Sequence, residues 1–237
     1  MNLEGETSAG VGEESHWIPL TDLMTGLMVI FLLIAVSYMM QVEADAARIK
    51  DVAIAYSEIK DALFEDLNKE FSADLSKWKA QLLKSDLTIR FSEPEVLFAP
   101  GSSELKPEFQ AILQDFFPRY VRILTSRKYH DAISEVRIEG HTSSVWNGSA
   151  SPDQAYFLNM ELSQARTRST LAYVMSLPAD RDQIAWLRRY VTANGLSSSR
   201  LIVDAQGRED VARSRRVEFR IRTDAETRLA KILEVSK

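Results

Sequence analysis

Residues 16–40 read His16-Trp-Ile-Pro-Leu-Thr-Asp22-Leu-Met-Thr-Gly-Leu-Met-Val-Ile-Phe-Leu-Leu-Ile-Ala-Val-Ser-Tyr-Met-Met40. From Ile18 to Met40 every residue is apolar, small or uncharged except Asp22. As a helix this segment would be roughly 35 Å long, enough to cross a bilayer with some tilt. A soluble amphipathic helix would carry a polar stripe at a period of 3.6 residues, and none is present. The pattern therefore predicts a transmembrane helix over residues 18–41.

A cleaved signal peptide is the alternative interpretation of this segment. Such a peptide has a basic start and a shorter apolar core. Residues 1–17 contain no Lys or Arg and four glutamates, and their Gly, Ser and Glu content predicts a disordered tail. The missing basic start argues against cleavage.

Asp22 is the one charged residue of the predicted span. A carboxylate at membrane depth is costly, and it usually faces a partner or a water path and marks an ion route. Alternatively Asp22, with Thr21, caps the start of the helix after Pro19. The residues alone leave these two roles open.

The run Trp17-x-Pro-Leu-Thr-Asp22-Leu-Met-Thr-Gly-Leu-Met-x-x-Phe-Leu-Leu33 resembles the membrane helix of the MotB family, the B subunits of ion-driven stators. This resemblance implies that Asp22 carries H⁺ or Na⁺. It also implies a cytoplasmic N-terminus and a periplasmic domain. The charges flanking the span favour the opposite orientation slightly, because Arg48 and Lys50 lie downstream of it.

The composition excludes several classes of function. The 237 residues contain no cysteine and three scattered histidines, so we expect no thiolate chemistry, metal centre or cofactor. The net charge of −5 gives no reason to expect a nucleic-acid partner, and the Arg213–Arg216 cluster is interpreted as a solvated face. No arrangement of nucleophile and base is recognisable, so an enzyme is not expected.

Residues 42–85 are predicted to be a helical connector. Apolar residues recur every three or four positions down one face, which is typical of a helix that buries a stripe. We predict that a second copy of the chain covers this stripe, giving a parallel homodimer; the alternative is packing against the chain's own domain. The stripe comprises Ile49, Val52, Tyr56, Ile59, Leu63, Leu67, Phe71, Leu75, Trp78 and Leu82.

Residues 86–223 are predicted to form one α+β sandwich domain, with helices on one face of a mixed sheet. Residues 224–237 are interpreted as a terminal helix or tail. The predicted strands are 86–91, 96–98, 133–140, 201–205 and 216–221, and the predicted helices are 107–124, 154–177 and 180–192.

Four segments of this domain resemble the OmpA-like peptidoglycan-binding family. They begin at Val96, Ile138, Asn159 and Arg215, and read Val-Leu-Phe-Ala-Pro-Gly-Ser-Ser-Glu-Leu-Lys-Pro, Ile-Glu-Gly-His-Thr, Asn-Met-Glu-Leu-Ser-Gln-Ala-Arg and Arg-Arg-Val-Glu-Phe. The resemblance implies that the domain binds peptidoglycan. The residues that match the family's site are Thr142, Asn159, Leu162, Arg166 and Arg216.

The side-chain chemistry of these positions is compatible with that role. Arg166 presents a planar fork of donors suited to a carboxylate, and Asn159 lies two turns earlier on the same helix face. Without the family resemblance, Arg166 could equally be a surface salt-bridge partner and Asn159 a helix cap. The family has an Asp after Gly-His-Thr, but this chain has Ser143; Asp153 is a candidate replacement.

Together the two resemblances imply a stator-type B subunit of the inner membrane. Two copies would lie inside a ring of MotA-like subunits, five by that resemblance. The acidic tail, helical connector and Gly-His-Thr-Ser-Ser-x-Trp run resemble the B-subunit family of Zorya anti-phage defence systems. Flagellar stators are the second candidate, and a passive peptidoglycan anchor without ion flow is the third.

Overall fold

The computed structural model describes residues 17–92, 94–146, 150–177 and 180–223. Residues 1–16 and 224–237, for which a tail and a terminal helix were predicted, lie outside the described residues. Within the described part the chain divides into two compact units between residues 51 and 52. The first unit contains the apolar span, and the second contains the sheet.

The first helix, α1, runs from Trp17 to Leu75. Its segment Leu20–Lys50 is long and apolar enough to cross a membrane, with a mean hydropathy of 2.3 and none of its most apolar window buried. Side chains such as Phe31 and Met28 are more than half exposed. This is the segment predicted to be transmembrane.

The second unit is built on one five-stranded mixed sheet. Its order is β1-β2-β5-β3-β4, and every neighbouring pair is antiparallel except β3 and β4. The α+β class predicted from the sequence is confirmed. The strands are β1 (Ala80–Leu83), β2 (Thr88–Phe91), β3 (Ile133–His141), β4 (Val191–Gly195) and β5 (Arg216–Thr223), and the remaining helices are α2 (Pro94–Leu97), α3 (Pro107–Leu124), α4 (Pro152–Ser176), α5 (Arg181–Tyr190) and α6 (Val211–Ser214).

Helix α3 supplies much of the hydrophobic core. Pro107 starts the helix, where its missing N–H costs nothing, and the helix has the predicted bounds. The Phe116 ring lies 5.1 Å from Phe219 of β5 and 5.4 Å from Phe91 of β2. One face of the sheet is therefore covered by apolar side chains, as the predicted sandwich requires.

Helix α4 lies unusually close to the sheet because two glycines face it. A Cβ at Gly140 of β3 would lie 2.6 Å from the Thr167 Cγ2 atom, and a Cβ at Gly195 of β4 would overlap the Gln164 backbone. Only glycine leaves room for this approach. The two glycines therefore bring the predicted site helix onto the ends of β3 and β4.

The C-terminal part of α1 packs against the chain's own domain. Leu63, Leu67 and Phe71 are fully buried in the same core as Phe116. Arg119 of α3 reinforces the contact, with its Nε 2.8 Å from a Glu70 carboxylate oxygen. The prediction that a second chain covers the stripe is therefore wrong for these residues, because the domain already occupies that face.

Three predicted elements differ from the structure. The connector helix ends at Leu75 rather than continuing to residue 85, because 80–83 pair with β2 as an edge strand. Residues 94–97 form a short helix that begins at Pro94, not a strand. In the 201–205 segment only Val203 makes an isolated bridge, and the strand lies instead at Val191–Gly195, where a helix end was predicted.

The strand at Val191–Gly195 has an identifiable cause. β-Branched Val191 and Thr192 favour extended backbone, so α5 stops at Tyr190. The following residues then pair in parallel with β3. The periodicity of residues 180–192 did not show this, because apolar and polar residues near a short helix end fit either structure.

Candidate functional site

An open pocket lies where the end of β3, the start of β5 and helix α4 meet. The space in it and at its mouth is about 270 Å³, a figure that includes open solvent. Gly140 and His141 contribute from β3, Ser163 and Arg166 from α4, and Arg215, Arg216 and Val217 from the β5 strand and the residue before it; Leu97 and Phe98 complete the wall. The pocket thus contains two of the five predicted peptidoglycan-binding residues.

Arg166 is held in place by the loop that follows α2. Its Nε donates to the Ser102 carbonyl at 2.8 Å and its Nη2 to the Ala99 carbonyl at 3.1 Å. The guanidinium also lies over the Phe98 ring, 4.9 Å from its centre. Burial, together with the charge of Arg215, lowers the pKa of Arg166 to about 10, so the group remains cationic at neutral pH.

Arg216 is a buried structural residue as well as part of the pocket wall. Its Nε donates to Glu218 at 2.7 Å, and its Nη1 donates to the carbonyls of Ser214 and Arg200 at 3.0 and 3.1 Å. These contacts fix the orientation of the Arg216 side chain and leave little freedom for direct ligand binding.

Thr142 and Asn159 lie beside the pocket but do not line it. Both are 3% exposed. The Thr142 amide donates to the Ser197 carbonyl, while its hydroxyl has no hydrogen-bond partner among the residues of the described ranges. Asn159 donates to the Val145 carbonyl over a long 3.4 Å, and is not a helix cap because α4 begins at Pro152.

Leu162 lies at the edge of α4 next to Arg166. Leu158, Leu162 and Arg166 are spaced four residues apart, so they follow one another along one face of the helix. Leu162 is half-buried, and Leu158 is 37% exposed. This edge gives an extended ligand at Arg166 an apolar surface to lie on.

The family resemblance predicts an acid after Gly-His-Thr, but this chain has Ser143 at that position. Glu209 holds the neighbouring loop through Ser144. Ser143 is 3% exposed. Glu209 accepts hydrogen bonds from both the amide and the hydroxyl of Ser144, with the amide bond at 2.9 Å. Asp153, considered as a replacement, is an exposed residue in the first turn of α4, whose N-cap is Ser151.

A buried cluster of ionic side chains lies on the sheet face opposite α4. It was not predicted from the sequence. His141 lies between two carboxylates, its Nε2 3.5 Å from Glu218 and 3.7 Å from Glu139, and all three are at most 3% exposed. Arg90 and Arg216 each contact Glu218 at 2.7 Å. A sequence signal existed, because charged residues alternate along both β3 and β5; two-residue spacing puts them on one face.

The three ligand-type groups of this cluster lie within 4.8 Å of one another, close enough for a metal ion. Arg200 contacts Glu139 at 3.3 Å, and Arg90 and Arg216 contact Glu218. These guanidinium groups already neutralise the carboxylates and would repel a cation. We therefore interpret the cluster as an internal ion-pair network.

The cluster predicts acid sensitivity. Burial alone would raise the pKa values of Glu218 and Glu139, but His141 and the surrounding arginines outweigh it, so both pKa values lie below their usual range. These lowered pKa values stabilise the fold fully at pH values above the pKa of a glutamate in the unfolded chain, about 4.3. The stabilisation is lost as the pH falls further. We expect the free energy of unfolding from urea titrations to be flat between about pH 7 and 5 and to fall below about pH 4.3. Glu218→Gln should flatten that fall and the exposed Glu161→Gln should not; equal profiles would contradict the prediction.

Asp22 lies inside α1, five residues after its first residue, Trp17. Because helix capping concerns the residue that precedes the first turn, the structure excludes the cap role. Asp22 is exposed, as are its apolar neighbours in the described part of the span. Gly26 lies one turn further along the helix.

Comparison with known proteins identifies the family. No family model matches. The chain is 45% identical over 222 residues to the Zorya protein ZorB of Escherichia coli strain Crooks, covering 94% of both chains. Among solved structures, a MotB-like protein from Desulfovibrio vulgaris shares 22% identity, with a TM-score of 0.48 over 69% of this chain and 91% of that one. The cell wall anchor of the Pseudomonas aeruginosa T6SS shares 21%, with a TM-score of 0.44 over 66% and 96%.

The candidate membrane helix, followed by an α+β domain with an arginine-lined pocket, defines a protein that combines one possible membrane span with one mixed-sheet domain. The 45% identity to the E. coli protein extends over 94% of both chains. The chain therefore belongs to the ZorB family.

Proposed function

We propose that this protein is the B subunit of an ion-driven motor of a Zorya anti-phage defence system, with Asp22 as the carrier of H⁺ or Na⁺. The observation that carries the proposal is the position of Asp22, the one carboxylate between Leu20 and Met40, inside an exposed apolar helix. Such residues mark ion pathways because an unused carboxylate there is costly.

The surroundings of Asp22 support contact with a partner helix. Gly26 lies one turn along the same helix face as Asp22 and carries no side chain. Small residues let helix backbones approach closely in membranes. A MotA-like subunit at this face would meet the carboxylate, and protonation would remove its charge and weaken polar contacts across that face.

The second unit is proposed to anchor the motor to peptidoglycan. Arg166 supplies a fixed cation at the pocket, and Leu158 and Leu162 supply an apolar edge. A peptide stem offers a carboxylate for the first and aliphatic groups for the second. Thr142, Asn159 and Arg216 then act as supports that hold the loop, helix and strand around the site.

The proposed assembly contains two copies of this chain within a ring of MotA-like, ZorA-type subunits, which number five by family resemblance. The domain covers the stripe from Leu63 to Phe71, so we place the contact between the two copies N-terminal to Ile59. The proposed orientation has a cytoplasmic N-terminus and a periplasmic second unit. This function involves no catalysis, cofactor or nucleic acid.

Similarity to ZorB favours a defence motor over a flagellar stator. A passive anchor remains the competing function of a different class. It requires the span and the pocket but gives Asp22 no role and needs no ring of partner subunits.

The mass of the detergent-purified complex after co-expression with the adjacent genes separates these functions. We expect two copies of this chain with a multi-copy membrane partner. Recovery of this chain alone, as a monomer or dimer, would contradict the motor and favour the passive anchor. A flagellar partner instead of a defence partner would contradict the Zorya assignment.

A further inference from the structure

We propose that the pocket at Arg166 binds a peptidoglycan carboxylate whose neighbouring amine is acylated, as in a cross-linked stem, in preference to a stem end with a free ammonium group. The proposal rests on the proposed anchoring function and adds the chemical state of the ligand. It follows from the charges on the pocket wall.

The pocket wall is cationic on two sides. Arg166 lies on α4 and Arg215 on the segment that enters β5, and both line the pocket. Among the residues of the described ranges that line it, none is Asp or Glu. Their charges act on each other, since Arg215 contributes to the lowered pKa of Arg166.

Both charges are available to a ligand. The described contacts of Arg166 are two backbone carbonyls and the Phe98 ring, none of which carries a negative charge. Arg215 is exposed, and no described carboxylate lies within ion-pair distance of it. An anion entering the pocket would therefore relieve the repulsion between two arginines, which favours a carboxylate strongly.

Two acids, Glu218 and Glu209, are already engaged by other groups. Glu218 contacts Arg216 and Arg90. Glu209 binds the amide and hydroxyl of Ser144 with both of its oxygens. Ser143, which precedes Ser144, is uncharged. Among the described residues that line the pocket, none offers a carboxylate to compensate an ammonium group.

The amine state of the ligand should therefore alter binding. An ammonium group on the same carbon as the bound carboxylate would lie close to the two arginines, and like charges a few ångströms apart repel by about 1 kcal/mol even in water. Acylation removes that charge and leaves the carboxylate unchanged. The preference for the acylated form corresponds to about fivefold in affinity.

The experiment is sedimentation of the detergent-purified full-length protein with purified sacculi. One sample is untreated, a second has its free amines acetylated, and a third has its carboxylates amidated. We expect acetylated sacculi to bind about fivefold more tightly than untreated ones, and amidated sacculi to lose binding. Weaker binding to acetylated sacculi would overturn the inference and make Glu209 the candidate ammonium partner.

Two variants separate this inference from the anchoring function. Arg166→Ala should abolish binding to every form of sacculus. Arg215→Glu should reverse the preference, so that untreated sacculi bind better, while the exposed Arg213→Glu should leave it unchanged. If untreated and acetylated sacculi bind with different affinities and Arg215→Glu does not change that difference, the inference is overturned while the anchoring function stands. No binding by the unmodified protein to any sacculi would overturn the anchoring function itself.

Discussion

Replacement of Asp22 by Asn is expected to abolish phage protection while leaving the complex assembled. Asn preserves the size and hydrogen-bonding capacity of the side chain but cannot ionise. If ion passage requires a carboxylate that binds and releases H⁺ or Na⁺ at membrane depth, the variant retains its contacts and loses the cycle. The expected loss is complete, because the described span offers no other carboxylate between Leu20 and Met40.

The measurement has two readouts, which are plating efficiency of phage and the mass of the purified complex. The matched control is Glu65→Gln, which makes the same charge change at an exposed position of the same helix, outside the span. It should protect like the unmodified protein. Full protection by Asp22→Asn would eliminate the ion-carrier role and leave the passive anchor; loss of the complex would show that Asp22 is structural.

The second large effect is expected for Phe71→Ala, which should destabilise the second unit by about 3–5 kcal/mol. Phe71 is fully buried, and its ring lies 5.3 Å from Phe116, 5.9 Å from Trp78 and under the guanidinium of Arg119 at 5.0 Å. Truncation removes these contacts and leaves a cavity in a packed core. A fall in Tm of roughly 10 °C is expected.

Denaturant unfolding followed by tryptophan fluorescence would measure this change. The control is Phe157→Ala, because Phe157 is 70% exposed and should change stability by at most about 0.5 kcal/mol. A value below about 1 kcal/mol for Phe71→Ala, accompanied by loss of the dimer, would return the stripe to an interface between two chains.

The sequence predicted individual elements well where local chemistry decided them. The Pro107–Leu124 helix has the predicted bounds, because a starting proline and a strong apolar periodicity are local properties. The placement of Asn159, Leu162 and Arg166 on one helix was also predictable, because helix periodicity is a local property. The Val191–Gly195 strand was missed because its pairing partner, β3, lies more than fifty residues earlier.

The site shows the same division. Arg166 and Arg216 were named from the sequence and line the pocket, whereas Arg215 was assigned to a solvated face. The contact between Glu209 and Ser144 joins residues 65 positions apart, and no local pattern indicates it. The His141 cluster likewise forms because β3 and β5 are adjacent in the sheet.

The apolar character of the span, the ionisable group within it and the amphipathic stripe that follows are properties of the residue order, because helix periodicity places side chains without reference to the rest of the fold. The surface that covers the stripe is not such a property. Leu63, Leu67 and Phe71 have the same spacing whether a second chain or the chain's own α3 lies against them. In the fold, α3 of the same chain lies against that face. Burial against it costs no translational freedom, unlike association with a second chain.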